Sequence, residues 1–143
     1  MALAFGTAEW CAALRDEINR SSEYRNAAAK WGVGFGGNLL FAFEADAGLP
    51  KPLYLLLQLA AGRCEGAEFV AGPSNPAAAF ALRAPFALWR EILDRKTLAA
   101  TAILTGRLRV EGDKLTLLKH AGASRALIHC TASIPTEFDP AMG

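Results

Sequence analysis

The chain has 143 residues, 52% hydrophobic and 20% charged, with fifteen basic against fourteen acidic side chains, a formal charge of +1. That apolar content buries enough surface to outweigh chain entropy, which excludes intrinsic disorder, and the length suits one compact domain over residues 1–143. A near-neutral chain has no overall field for polyanions, so nucleic acid is not an expected partner and membrane contact is expected to be transient at most.

From the N-terminus, Thr7 is placed to cap a helix whose apolar positions Trp10, Ala13, Leu14 and Ile18 recur at helical spacing, with Glu9, Asp16, Glu17 and Arg20 toward water. Ser21-Ser22 breaks and recaps the chain, and a second helix through Tyr24, Ala27, Ala28 and Trp31 ends at Gly32. Phe35 to Asp46 alternates as a strand, with Leu39, Phe41, Phe43 and Ala45 on one face. The turn formers of 47–52 lead to a second strand, Leu53 to Ala61, with Leu53, Leu55, Leu57 and Leu59 on one face. Glu68 to Ala71 reads as a third strand, residues 72–76 as a loop, and Ala78 to Arg83 as a fourth strand.

Pro85 suits the first turn of a helix that buries Phe86, Trp89, Ile92 and Leu93. Thr97 to Leu104 is a short helix without a polar face, so burial is expected. Gly106 to Gly112 is a strand with Leu108 and Val110 inward and Arg107, Arg109 and Glu111 outward. Asp113 then caps a long helix to about Cys130, which leaves a core of about residues 5–134 and a polar tail over 135–143. This order predicts an α+β fold: a five-stranded, mainly antiparallel sheet with helices covering one face.

Leu53 to Ala61, the longest strongly apolar run, is about half the length of a membrane-spanning helix and reads as a core element. Residues 1–6 lack a basic n-region and a long apolar h-region, so no signal peptide is read and a cytoplasmic location is expected. Cys11, Cys64 and Cys130 are odd in number and far apart, which argues for small buried hydrophobes rather than disulfides or a zinc site.

Gly32, Gly34 and Gly37 match Gly-x-Gly-x-x-Gly, but a helix precedes them and a strand follows, the reverse of a dinucleotide site; a helix-to-strand turn is the better reading. His120 and His129 lie nine apart on the proposed last helix, on different faces, and share no metal. Adjacent His129 and Cys130 do not face one another, and no Gly-x-Ser-x-Gly elbow is present. The carboxylate pairs Asp16/Glu17 and Glu44/Asp46 read as solvated surface. Arg107 and Arg109 share a face that serves solubility, or alternatively holds an anionic head group, and Trp10, Trp31 and Trp89 read chiefly as core. No catalytic residue, metal or cofactor is expected.

Taken in order, Glu9-Trp10 with Leu14 to Asn19, Tyr24 to Trp31, Leu57 to Cys64, Ala79 to Ala84 leading to Trp89, and above all Ile103 to Asp113 make the chain resemble the sterol carrier protein 2-like family in its bacterial single-domain form. The likeness runs from about Phe5 to Phe138. It implies a five-stranded sheet covered by helices around an apolar cavity that holds fatty acid, acyl-CoA, phospholipid or sterol, with no shared catalytic motif. Two departures are visible: the C-terminus has no Ser-Lys-Leu-type address, and the Ala-rich interior is unlike a sterol-sized cavity.

Combined with the inward faces, this predicts a non-catalytic carrier, not an enzyme, with Phe41, Phe43, Leu55, Leu57, Phe80, Leu82, Trp89 and Leu104 lining the ligand. Burying about fifteen methylenes at about 0.8 kcal/mol each gives about 12 kcal/mol, against association costs of about 4–15 kcal/mol, which needs no head-group specificity for micromolar binding. The alternative is an accessory or regulatory interaction module, homodimeric and with a filled core; a small lipid-modifying enzyme stands third.

Overall fold

The structure, a computed structural model, describes residues 2–138. Strand β1 (Leu3–Ala4) precedes helix α1 (Ala8–Arg20), where Thr7 Oγ1 accepts from the Trp10 backbone N–H at 3.3 Å. Trp10, Cys11, Leu14 and Ile18 point into the core, as their spacing predicts. Ser21 closes α1 and caps α2 (Ser22–Ala27), its Oγ accepting from the Tyr24 N–H at 3.0 Å. The glycine-rich turn then packs closely on the sheet: a Cβ on Gly37 would stand 2.6 Å from the Leu59 carbonyl oxygen, and Trp31 Nε1 donates to the Gly37 carbonyl at 2.8 Å. Close approach to a strand, not phosphate binding, therefore accounts for glycine there.

The central sheet contains β2 (Leu39–Glu44), β3 (Leu53–Ala60), β4 (Arg63–Val70), β5 (Phe80–Pro85) and β6 (Arg109–Glu111), in the order β4-β3-β2-β5-β6. Only β2–β5 is parallel; the other neighbours are antiparallel. The α+β architecture is the one the sequence predicts, with differences at its edges. Strand β4 begins at Arg63 rather than Glu68, because Ala61 and Gly62 (φ 52° and 82°) make a two-residue turn with both central residues left-handed, as a type I′ hairpin requires. Strand β6 is three residues, shorter than the stretch 106–112 suggests.

The inner face carries Leu39, Phe41, Phe43, Leu55, Leu57, Leu59, Phe80 and Leu82, all buried with α1, α3 and α6 residues in one cluster. Ala45 lies beyond β2 and is exposed, against its expected inward place. On the outer face, Leu40, Leu56 and Ala81 make a small second cluster beside cross-strand ion pairs, Arg83–Glu111 at 2.7 Å and Arg109–Glu44.

Strand β5 runs straight into α3 (Phe86–Leu93), with Pro85 as N-cap rather than in the first turn. Asp46, past the end of β2, accepts from the Ala87 N–H through Oδ2 at 2.7 Å, so a carboxylate expected to be solvated surface secures this helix start. Helix α4 (Ala99–Leu104) contradicts its expected burial: Ala102 and Ile103 are inside, whereas Leu104 is 70% exposed. The long terminal helix is two, α5 (Lys114–Lys119) and α6 (Ala121–Ala132), broken where His120 leaves helical geometry at φ −107°, ψ 35°.

Strand β7 (Thr136–Glu137) pairs in parallel with β1, and Phe138 packs against Phe5 at 5.1 Å and Phe86 at 6.0 Å between ring centroids. The first residues of the expected polar tail thus belong to the packed structure, because their backbone finds a strand partner and Phe138 an aromatic pocket; residues 139–143 lie outside the described ones.

Candidate functional site

Helix α3 ends at Leu93 with Asp94 as C-cap, and Arg95 follows at φ 62°, a left-handed position where glycine is the usual residue. The Lys96 N–H then donates to the Glu91 carbonyl at 2.8 Å, which turns the chain into α4. Across from this corner lies α6. Between them is a groove of about 240 Å³ with Ile92, Leu98, Ala99, Ala100, Ala121 and Ile128 as its apolar lining. Alanines on both helices keep the side chains short where the two walls meet, and so leave the space open.

The groove's polar groups are Thr97, Ser124, Arg95, Arg125 and His129. Among the described residues neither Arg95 nor Arg125 has a carboxylate within 4.0 Å, whereas His129 Nδ1 lies 3.0 Å from Glu23 Oε2. Two nearby arginines are engaged: Arg107 with Glu91 at 3.2 Å, and Arg90 with Asp94 at 4.0 Å and over the Phe138 ring at 4.3 Å. The two arginines the sequence offered as anion binders, Arg107 and Arg109, are thus neutralised by Glu91 and Glu44, whereas Arg95 and Arg125 sit at the groove without such a partner.

Beside α6 is a smaller, half-open pocket of about 20 Å³, lined by Tyr24, Trp31, Leu39, Leu59, Leu117, His120, Ala123, Ser124 and Leu127. It has room for about one water. Ser124, on α6, borders both spaces.

The residues expected to line a ligand lie elsewhere. Phe41, Phe43, Leu55, Leu57, Phe80, Leu82 and Trp89 are all buried on or against the inner sheet face. Trp89 packs on Phe43 and Phe41 at 5.0 and 5.5 Å between centroids, and its Nε1 donates to the Ala42 carbonyl at 2.9 Å. Phe80 packs on Trp31 at 5.3 Å. These seven form a tight layer, and none of them borders the groove. Leu104 is the correction: it sits on the solvent side of α4, because Ala102 and Ile103 take the inward positions. Sequence reasoning missed Arg95, Ala100, Arg125 and Ile128. Their one readable trace is the pairing of two alanine-rich segments, with Arg125 lacking any carboxylate at helical spacing; Arg95 has Glu91 four residues before it and gives no such signal.

Burial pushes the Cys11 and Cys64 thiols up to about 11 and raises that of Cys130 as well, so none has the character of a nucleophile. Among the described residues no three His, Cys, Asp or Glu side chains come together as a metal site would need.

The model of the SCP-2 sterol transfer family matches residues 16–123. The chain belongs to that family. Among solved structures, a crystal structure of sterol carrier protein 2 is 31% identical, with a TM-score of 0.79 over 91% of this chain and 98% of the other. A solution structure from Thermus thermophilus, a conserved hypothetical protein described as a possible sterol carrier protein, is 29% identical with a TM-score of 0.80, covering 95% and 93% of the two chains. The apo form of sterol carrier protein 2 from Yarrowia lipolytica shares the fold at 16% identity, with a TM-score of 0.56 over 90% and 92%. No curated protein sequence matches. As an SCP-2 family member the chain has the family's sheet and helical cover, and its groove lies within that cover.

Proposed function

We propose that this SCP-2 family chain is a single-domain, cytoplasmic, non-catalytic carrier of one elongated amphiphile, with the alkyl part in the groove between α4 and α6 and an acidic head group on Arg95 and Arg125. The observation that supports it is an apolar groove of about 240 Å³ with two unpaired guanidinium groups at its edge. Likeness to a sterol carrier protein supports an apolar, lipid-like ligand in general.

Size sets what the ligand is. Taking a methylene as about a water's share of volume, about 30 Å³, the groove accepts about eight methylenes. At about 0.8 kcal/mol each they contribute about 6 kcal/mol, which only matches the low end of the association cost of about 4–15 kcal/mol. The chain alone therefore binds weakly. Two charge-assisted hydrogen bonds at about 1.5–3 kcal/mol each supply the remainder, so a fatty acid or another acidic amphiphile is favoured over a neutral lipid or a sterol.

Native mass spectrometry of the purified chain, then delipidation and titration with a fluorescent fatty acid against its alcohol analogue, tests this. Saturable binding of the acid, at least tenfold tighter than the alcohol, is expected; no bound lipid and no saturable titration refutes it. The tight packing over the inner sheet face favours a second reading, an interaction module that self-associates with a filled core. A dimeric solution mass together with no lipid binding would select it.

A further inference from the structure

Helix α4 presents two leucines to water. Leu98, its N-cap, is 56% exposed and Leu104, its last residue, 70% exposed, with Thr101 and Thr105 exposed at the same helical spacing. A helix apolar all round is ordinarily covered. Here only one side, through Ala102 and Ile103, packs on the protein.

The charge around that face is one-sided. Residues 90–130 hold eight basic side chains and four acidic ones, so the near-neutral total conceals a cationic stretch. All four acids are engaged: Glu91 with Arg107, Asp94 with Arg90, Glu111 with Arg83, and Asp113 as the cap of α5, accepting from Thr116 Oγ1 at 2.9 Å. Arg95, Lys96 and Arg125 keep no carboxylate within 4.0 Å among the described residues. Arg95 and Lys96 lie three and two residues before Leu98, and Arg125 lines the groove with it from α6.

From this juxtaposition we infer that α4 and the Arg95–Lys96 corner form a docking surface for an anionic lipid bilayer. The leucines enter the acyl boundary while the cations meet phosphate head groups. A second copy of the chain fits worse, since isologous contact would oppose the same unpaired cations. Leu98 belongs both to the exposed face and to the groove lining, so docking sets the groove mouth on the membrane. The role in loading rests on the carrier reading above; docking itself does not.

Vesicle flotation separates the two. The full chain is expected to float with vesicles of mixed phosphatidylcholine and phosphatidylglycerol, to stay in solution with phosphatidylcholine alone, and to be released by added salt. Leu104→Glu and Lys96→Glu, both at exposed positions, are each expected to lower partitioning at least tenfold with an unchanged melting temperature. Fatty-acid titration of the same variants reads the groove separately, so loss of flotation with intact titration isolates docking. No partitioning of the unaltered chain, partitioning of either variant equal to that of the unaltered chain, or a dimer that Leu104→Glu dissolves would overturn the inference.

Discussion

Ala100→Phe places a ring in the groove without touching the sheet. Ala100 lines the groove from α4 and is half-buried, so its side chain has space to grow rather than a packed neighbour to displace. A cavity of about 150 Å³ holds benzene, so a phenyl ring takes about that much. Of the 240 Å³, about 90 Å³ then remains, room for about three methylenes instead of about eight. Losing about five methylene contacts at about 0.8 kcal/mol removes about 4 kcal/mol, or about a thousandfold in affinity. The folded state gains apolar contact, so its melting temperature should hold or rise, which separates blocked binding from damage. The assay is fluorescent fatty-acid titration beside a thermal melt. Unchanged affinity in Ala100→Phe would refute the groove as the site. If Leu57→Ala on the inner sheet face abolished binding instead, beyond its expected cost of about 2–5 kcal/mol in stability, the ligand would have to lie between sheet and helices.

Arg95→Gly relieves a left-handed backbone at the α3 C-terminus while removing a head-group cation; stability should rise by at most about 1 kcal/mol in denaturant unfolding, and affinity for a fatty acid should fall at least tenfold with its alcohol unaffected. For the thiols, burial raises Cys11 and Cys64 to about 11, above the unfolded value of about 8.5, so the stability they confer is complete below about pH 8.5 and is lost as pH rises toward 11. Urea midpoints should decline across that range, and at pH 8 all three cysteines should react with a disulfide reagent only on unfolding. Asp113 is shifted the opposite way, held below its usual range by the Thr116 hydroxyl and backbone N–H groups, so its contribution is present above about pH 3.9 and is lost as pH falls through its lower folded value. Asp113→Asn caps comparably and should flatten that acid loss in circular dichroism without changing helicity at neutral pH.

The central architecture was legible because strand alternation needs no tertiary information. Leu39, Phe41 and Phe43, and Leu55, Leu57 and Leu59, share an inner face by periodicity alone, and all six are buried there. What periodicity does not report is a partner distant in sequence. The pairing of Leu3 with Thr136, the cap Asp46 lends to α3, and the Glu44–Arg109 pair join residues 41 or more positions apart, and each altered a local reading: a tail, a solvated acid and a free cation. The break at His120 is of the same kind, since its ring packs against Trp31 at 5.2 Å between centroids from across the chain.

The groove was not legible for a related reason. Large inward residues read equally as enclosing or filling space, and here the Phe43–Trp89 and Phe41–Trp89 contacts pack the sheet face, while space persists where Ala99, Ala100 and Ala121 meet. Helix α6 stands between that groove and the smaller half-open pocket, with Ser124 lining both. A ligand of about eight methylenes needs no rearrangement, whereas a longer one has to displace α6 or leave its remaining chain on the α4 face. That face already carries exposed leucines, so the second course demands no disruption of the core and places the uncovered part of a long chain against the surface inferred to meet the bilayer.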